Sequence, residues 1–359
     1  GFESSRQAVF DLDMNRVQSV TILKDAAAKA IYGSKASNGV VVVETVQPEK
    51  GRLRLTYTGD VNVQAPDLSS YDICNAAEKL QVELNAGRYT SSVPRDQQGL
   101  TEIYNELKTR ITEGVDTYWL AKPLRTGVGQ KHTLYMEGGD ERMRYSANIN
   151  YNKVSGVMKG SDRETIAGNI QLSYRYKDFL FRNSLTITSN RADNSPYGSF
   201  SDYSSANPYY IPYDENGNLK KVLGSYIHPN INSHSRSVTY YNPLYNAYIG
   251  TKNFSEYTEY VENFYIEWRP LEALRFTGRI GYTYQTDSSE DFKPGDHTDF
   301  VTWTGDNFYK RGSYSISDGK SDNLSVDLTT NYSGQFGKHM LLANAAWSMN
   351  TSSSDSHGM

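Results

Sequence analysis

The chain has 359 residues, of which 37% are hydrophobic, 13% aromatic and 22% charged, with 29 tyrosines and a formal net charge of −4. This balance gives no basic footprint for nucleic acid, and no stretch approaches the roughly 18 apolar residues of a membrane-spanning helix. Low bulk hydrophobicity combined with abundant tyrosine argues against a compact helical enzyme and for long amphipathic strands whose second face meets water.

The first fifty residues read as strand, short helix, strand. The segment "VQSVTILK" is extended. Asp25 caps a helix that runs through the alanines to Tyr32, and Gly33 stands at the left-handed C-terminal position. Asn38-Gly39 is a turn dipeptide, and Val40 to Val43 form a continuous apolar run expected to be buried on both faces. By pattern alone this is a piece of any α/β domain. The residue identities say more. The stretch "VQSVTILKDAAAKAIYGSKASNGVVVVET" resembles the end of the plug domain in SusC/RagA-like TonB-dependent outer-membrane transporters. The matching positions are Val17, Ser19, Leu23, Lys24, Asp25, Ala26, Ala28, Ala30, Ile31, Tyr32, Gly33, Ala36, Asn38, Gly39, Val40, Val43 and Thr45.

From Arg52 onward the period is two. In "RLRLTYTGDVNV", Leu53, Leu55, Tyr57, Val61 and Val63 oppose Arg54, Thr56, Thr58, Asp60 and Asn62. The same alternation runs through "RYSANINYN", "IAGNIQLSYRY", "LRFTGRIGYTY" and "NLSVDLTTNY", and more weakly through "HTLYMEG", "FLFRNSLTIT", "YVENFYIEW" and "MLLANAAWSM". This predicts about nine strands, each near the 9–11 residues that cross a bilayer at a tilt. A soluble β-sandwich also alternates. Against it, the polar faces carry Arg, Asp and Asn, which suit a lumen, and the apolar faces carry Trp268 and Tyr332 near strand ends, which suits interfacial girdles. The expected assignment places Leu55, Ile149, Leu172, Ile280 and Val326 toward lipid and Arg54, Asn150, Arg175, Arg279 and Asp327 toward the lumen.

The connections alternate in length. "GGDER", "YKD", "RPLEA" and "GQFGK" are short, 153–164 is intermediate, and 64–130, 190–256 and 286–321 are long. Short periplasmic turns and long extracellular loops give this rhythm. Within 64–130 two helices are expected, with Ala76, Leu80 and Leu84 on one face of the first and Leu100, Ile103, Tyr104 and Leu107 on one face of the second.

Catalytic signatures are absent from the sequence. The six histidines form no spaced ligand set, the single Cys74 pairs with nothing internal, and neither a nucleophile elbow nor a phosphate loop occurs. "DENGN" at 214–218 reads as a hairpin tip rather than a calcium loop, and Glu290-Asp291 read as solvated loop charges. No metal, cofactor or catalytic residue is assigned. What remains is aromatic: Tyr197, Phe200, Tyr203, Tyr209, Tyr210, Tyr240, Tyr241, Trp303 and Tyr309 lie in the long connections. Such rings beside Asn, Ser and Asp stack on sugar faces or bind peptide, though any single one more often packs its own loop.

The expected fold class is therefore mainly β: an antiparallel transmembrane barrel portion, not closed, preceded by the C-terminal part of a small α/β plug. The resemblance implies residues 1–48 as that plug part and 49–359 as the N-terminal part of the barrel. The chain opens without Met or a signal peptide and is read as a portion of a longer protein. By resemblance, the parent imports glycan or peptide oligomers across the outer membrane of a Gram-negative bacterium. It draws energy from a TonB complex through a region outside this chain, carries a SusD-like surface lipoprotein as a lid and is embedded in outer-membrane lipid. A passive porin or surface glycan-binding adhesin shares the strands, and a soluble carbohydrate-active enzyme is the remaining rival.

Overall fold

The computed structural model describes residues 17–23, 40–45, 48–228 and 236–359. β1 (Val17–Leu23) and β2 (Val40–Thr45) pair antiparallel with each other, Leu23 opposite Val40, in a separate two-stranded sheet. Their connection, with Lys24, Asp25, Ala26, Ile31, Tyr32, Gly33, Asn38 and Gly39 of the plug motif, lies outside the described residues. The valine run is not buried on both faces as expected: Val41 is exposed, as are Val20 and Ile22 of the partner strand. A two-stranded ribbon has no layer of its own with which to cover its apolar side chains.

The remaining strands form a second sheet. β3 (Gly51–Gln64) is followed by α1 (Ala76–Asn85) and α2 (Pro94–Thr112), then by β4 (Gly127–Gly139), β5 (Met143–Ser155), β6 (Asp162–Tyr176) and β7 (Phe179–Asp193). The short helix α3 (Phe200–Ser204) and a hairpin of β8 (Val222–His228) and β9 (Arg236–Tyr241) come next, before β10 (Lys252–Leu271), β11 (Leu274–Lys293), β12 (Ser313–Phe336) and β13 (His339–Gly358). The nine long strands lie in chain order, every neighbour antiparallel, with β3 and β13 as open edges.

The register assigns side chains to faces. One row runs Leu134, Ile149, Gly168, Ile187, Tyr260, Tyr284, and the opposite face carries Thr133, Asn150, Ala167, Thr188, Glu259, Gln285. Leu55, Ile149, Leu172, Ile280 and Val326 share the first face; Arg54, Asn150, Arg175, Arg279 and Asp327 share the second. Burial is inverted relative to a soluble sheet. Leu55, Ile149, Ile166 and Ile170 are exposed, whereas Thr133, Ser146, Asn148, Asn150, Thr165, Asn169, Thr188 and Asn190 are buried. The polar side chains bond across strands: Asn190 Nδ2 donates to Thr165 Oγ1 (2.6 Å) and Asn169 Nδ2 to Thr186 Oγ1 (2.8 Å). On the apolar face Asn183 donates to Glu262, so that this polar pair is mutually satisfied. Phe179, Trp268 and Phe276 stack at the short-turn end of that face, with successive centroids 5.7 and 5.2 Å apart.

The strands are longer than a bilayer crossing requires. β10, β11 and β13 have 20 residues each and β12 has 24, against 9–11 for a tilted span. Beyond Tyr260, Tyr284 and Leu324 the apolar face turns polar, with Glu256, Ser288, Lys320 and Asp355, so the hydrogen-bonded ladder continues into water. This shortens one connection to 294–312, where the sequence suggested 286–321, and it places Glu290 and Asp291 inside β11 rather than in a loop. Asn253 Nδ2 donates to the Asp291 carboxylate. The other long connections are 65–126 and 194–251, and the turns at 140–142, 177–178, 272–273 and 337–338 are short.

Where the chain joins the wall, Glu137 of β4 gathers it. Its carboxylate accepts from the Glu49 amide (3.2 Å), from Arg54 and from the Tyr135 hydroxyl (2.9 Å), while Arg54 also reaches Glu49 (2.7 Å).

Candidate functional site: an aromatic cavity among the long connections

The long connections pack into one layer with its own core. Asn75 caps α1 through a reciprocal bond with Glu78. Ala76 and Leu80 of α1, Leu107 of α2 and Trp119 meet Tyr203, Tyr209, Tyr210, Leu223 and Leu244 of the second long connection. Tyr89 packs with them, and Leu100 is also buried. The expected α1 face is off by one position: Leu84 is exposed and Glu83 is buried. Glu83 turns inward because its charge is matched there. Arg88 donates at 2.9 Å, the Tyr89 hydroxyl at 2.7 Å and the Tyr209 hydroxyl at 3.0 Å. Burial first, and then Glu83, push both phenols well above the usual tyrosine range. Bonds to backbone carbonyls join the two connections as well: the Trp119 indole Nε1 donates to the Asn207 carbonyl (2.9 Å) and the Thr117 amide to that of Pro208 (2.8 Å).

The third long connection docks on the second. Lys221 and Tyr245 both donate to Asp296, and Asn246 Nδ2 donates to Thr298 Oγ1 (2.7 Å). Lys221 and then Tyr245 hold the Asp296 carboxyl below its ordinary range, and Asp296 in turn pushes the Tyr245 phenol up to about 12. At 214–218 the Asp214 carboxylate accepts the amides of Asn216 (2.9 Å) and Asn218 (2.7 Å), and Gly217 takes φ +81°. This is a turn whose carboxylate is spent on its own backbone.

Between these connections lies a cavity of about 590 Å³, lined by Asp116, Tyr118, Lys122, Lys159, Tyr213 and Tyr248 among others. The short 156–161 connection forms one wall. Leu124 and Met158 form a bridge, Lys159 N donates to Pro123 O (2.8 Å), and Lys159 Nζ donates to Lys122 O (2.7 Å). Gly160, at φ +75°, lets this wall close against Pro196; a Cβ there would stand 2.6 Å from the proline Cδ. The Tyr197 ring meets Tyr248 edge-on (6.3 Å) and sits 6.0 Å from Lys159 Nζ; burial first, then the Tyr248 hydroxyl, push its phenol up to about 12.

The nine aromatics singled out in the sequence divide accordingly. Tyr203, Tyr209 and Tyr210 are core residues; the Tyr203 hydroxyl donates to the carbonyls of Tyr197 (2.8 Å) and Pro243 (3.0 Å). Tyr240 leans on Tyr210 and receives Arg88, Tyr241 is half-buried in β9, and Phe200 packs against Tyr71. Tyr197 backs the cavity. Trp303 and Tyr309 stand on the third connection, Tyr309 being 91% exposed. Tyr213 belongs to the aromatic-rich second connection, but Tyr118, Lys122, Lys159 and Tyr248 carry no shared sequence signal, because the lining comes from three separate connections that only the folded layer brings together.

No family model matches the chain. Over 280 residues it is 26% identical to a TonB-dependent receptor of Formosa agariphila, covering 77% of this chain and 25% of that protein. Over 158 residues it is 27% identical to the TonB-dependent receptor SusC of Bacteroides thetaiotaomicron, covering 44% of this chain and 14% of that protein. In fold it matches the RagAB peptide transporter with a TM-score of 0.78, at 18% identity, over 100% of this chain and 41% of that one. The RagAB peptide importer in its open-open state gives a TM-score of 0.75 at 20% identity, again over 100% and 41%. The chain thus spans about a quarter or less of the curated relatives it matches.

The fold is mainly β, a nine-stranded antiparallel sheet that is not closed, similar to part of the fold of the RagAB transporter. The chain is similar in sequence and fold to SusC/RagA-like TonB-dependent transporters, as its Val17–Thr45 segment indicates. The matched proteins are receptors and transporters, not enzymes.

Proposed function

We propose that this chain is a portion of an energised importer. Residues 1–48 are the C-terminal part of a plug domain and 49–359 the first part of the barrel wall, with the three long connections on the cell surface. The parent takes up nutrient oligomers, glycan or peptide, coupled to a TonB complex, and a SusD-like lipoprotein covers the loop end. The observation that carries this reading is the inverted sheet: apolar side chains exposed on one face and polar ones buried on the other through β4–β7 and β10, within a nine-stranded sheet. That arrangement is stable only with hydrocarbon outside and a wet or plugged lumen inside. The names of the relatives support import, and the polar, aromatic cavity supports an oligomer ligand.

The test is uptake of labelled oligosaccharides and oligopeptides by cells carrying the full-length protein, with and without a protonophore. Accumulation that stops on de-energising supports the reading. Uptake that proceeds unchanged shows a passive porin, and surface binding without uptake shows an adhesin.

A further inference from the structure

Resting on that reading, and narrowing it, we propose that the cavity walled by Tyr118, Tyr213 and Tyr248 is a subsite for an acidic saccharide, its two lysines receiving the carboxylate of a uronate unit. The charges in the cavity do not cancel. Asp116 spends its carboxylate on the Ala76 amide (3.0 Å) at the start of α1, where the helix dipole offsets its charge. Lys159 places one N–H on the Lys122 carbonyl (2.7 Å), with Tyr197 beside its ammonium, and an ammonium has three donors. Lys122 has no hydrogen-bond or ion-pair partner for its ammonium among the described residues. The cavity therefore holds donors and positive charge in excess, the condition for capturing a carboxylate.

The walls point to a sugar rather than a peptide. Tyr118, Tyr213 and Tyr248 keep 44%, 40% and 63% of their surface exposed, so flat rings stand open for pyranose faces. None of the lining residues belongs to the unpaired edge of a sheet, which an extended peptide would need for strand addition. The volume lies within the roughly 300–1,000 Å³ of small-molecule sites.

The experiment measures binding to the full-length protein in detergent, where no energised membrane is present, so the outcome is independent of import. The probes are a galacturonate hexamer, its methyl ester and a glutamate pentapeptide. The expected order is tight binding of the hexamer, with the ester and the peptide weaker. Lys122→Gln, at a side chain that makes no structural bond, weakens the hexamer by about tenfold and leaves the ester unchanged. Tyr248→Ser weakens hexamer and ester by similar factors. Equal affinity for hexamer and ester, or undiminished hexamer binding by Lys122→Gln, overturns the carboxylate role. A pentapeptide that binds as well as the hexamer overturns the saccharide assignment.

Discussion

Ile149 and Asn150 are adjacent in β5, yet Ile149 is 62% exposed and Asn150 only 5%. In a water-soluble sheet the isoleucine would be the buried one of the two. In the intact protein Ile149→Arg should therefore cost about 2–4 kcal/mol if the residue sits near the bilayer midplane, and less toward an interface. Ile149→Leu should stay within about 1.5 kcal/mol. Reversible folding into lipid vesicles measures both, and an arginine tolerated as well as leucine would place this face in water.

Glu83 is the electrostatic centre of the loop layer. Glu83→Ala removes the carboxylate partner of Arg88 and of two phenol hydroxyls, and the loss should fall below the about 3–5 kcal/mol of a broken buried pair, because Arg88 is partly exposed and keeps its bond to Tyr240. Tyr209→Phe should cost about 1 kcal/mol. Limited proteolysis is the measurement: fragments cut within 65–126 and 194–251 should appear while the strands survive. An unchanged digestion pattern for Glu83→Ala would remove the node from the stability of the layer.

Alkaline pH should loosen the same layer. The folded pKa values of Tyr89, Tyr203 and Tyr209 are raised, mainly by burial, so the neutral phenol is favoured in the folded state. Their contribution is fully present below the unfolded value of about 10 and declines as pH climbs above it toward the folded values. Ionisation of these three buried phenols should be delayed to pH well above 10 and should coincide with a rise in protease sensitivity of the layer. Early ionisation of all tyrosines in one step, with the layer intact, would contradict this.

The segment from Leu68 to Trp119 carries more apolar residues than a free loop needs in water, which makes it the candidate face for a lid. Much of that content is used internally: Ala76, Leu80, Leu107 and Trp119 are buried in the layer's own cluster. The surface left is smaller, with Tyr71, Ile73, Val82 and Val93 exposed. If a lid docks there, Ile73→Glu combined with Val82→Glu should abolish co-purification of the lipoprotein while leaving the loop layer protease-resistant. Full recovery of the partner with the double variant would move the interface elsewhere.

The wall was legible in the sequence and the loop layer only in part, for a physical reason. Period-two alternation is a local signal, and each strand pairs with its nearest long neighbour in the chain, so the spacing in "RYSANINYN" already assigned Asn150 and Ile149 to opposite faces. Strand ends were missed where "DSSED" after Tyr284 is polar on both faces, because alternation vanishes once both sides meet water. Glu83 was overlooked because a carboxylate on an α-helix defaults to solvent, and its partner Tyr209 is remote in sequence. Lys122, Lys159 and Tyr248 have no shared pattern at all. Their proximity comes from the bridge between Leu124 and Met158 and from the packing of the layer.

Gln64 faces Gly127 across the ladder, Phe254 faces Asp193, and Lys293 faces Ser313. Each long connection therefore leaves and returns at, or within two residues of, a pair of strand positions in register, which in an antiparallel ladder means roughly 4.5–5.5 Å between Cα atoms. Whatever is spliced between such ends imposes no shift on the strands beneath. Such segments can be exchanged whole, like interchangeable lenses on a fixed mount, without renegotiating how the wall folds.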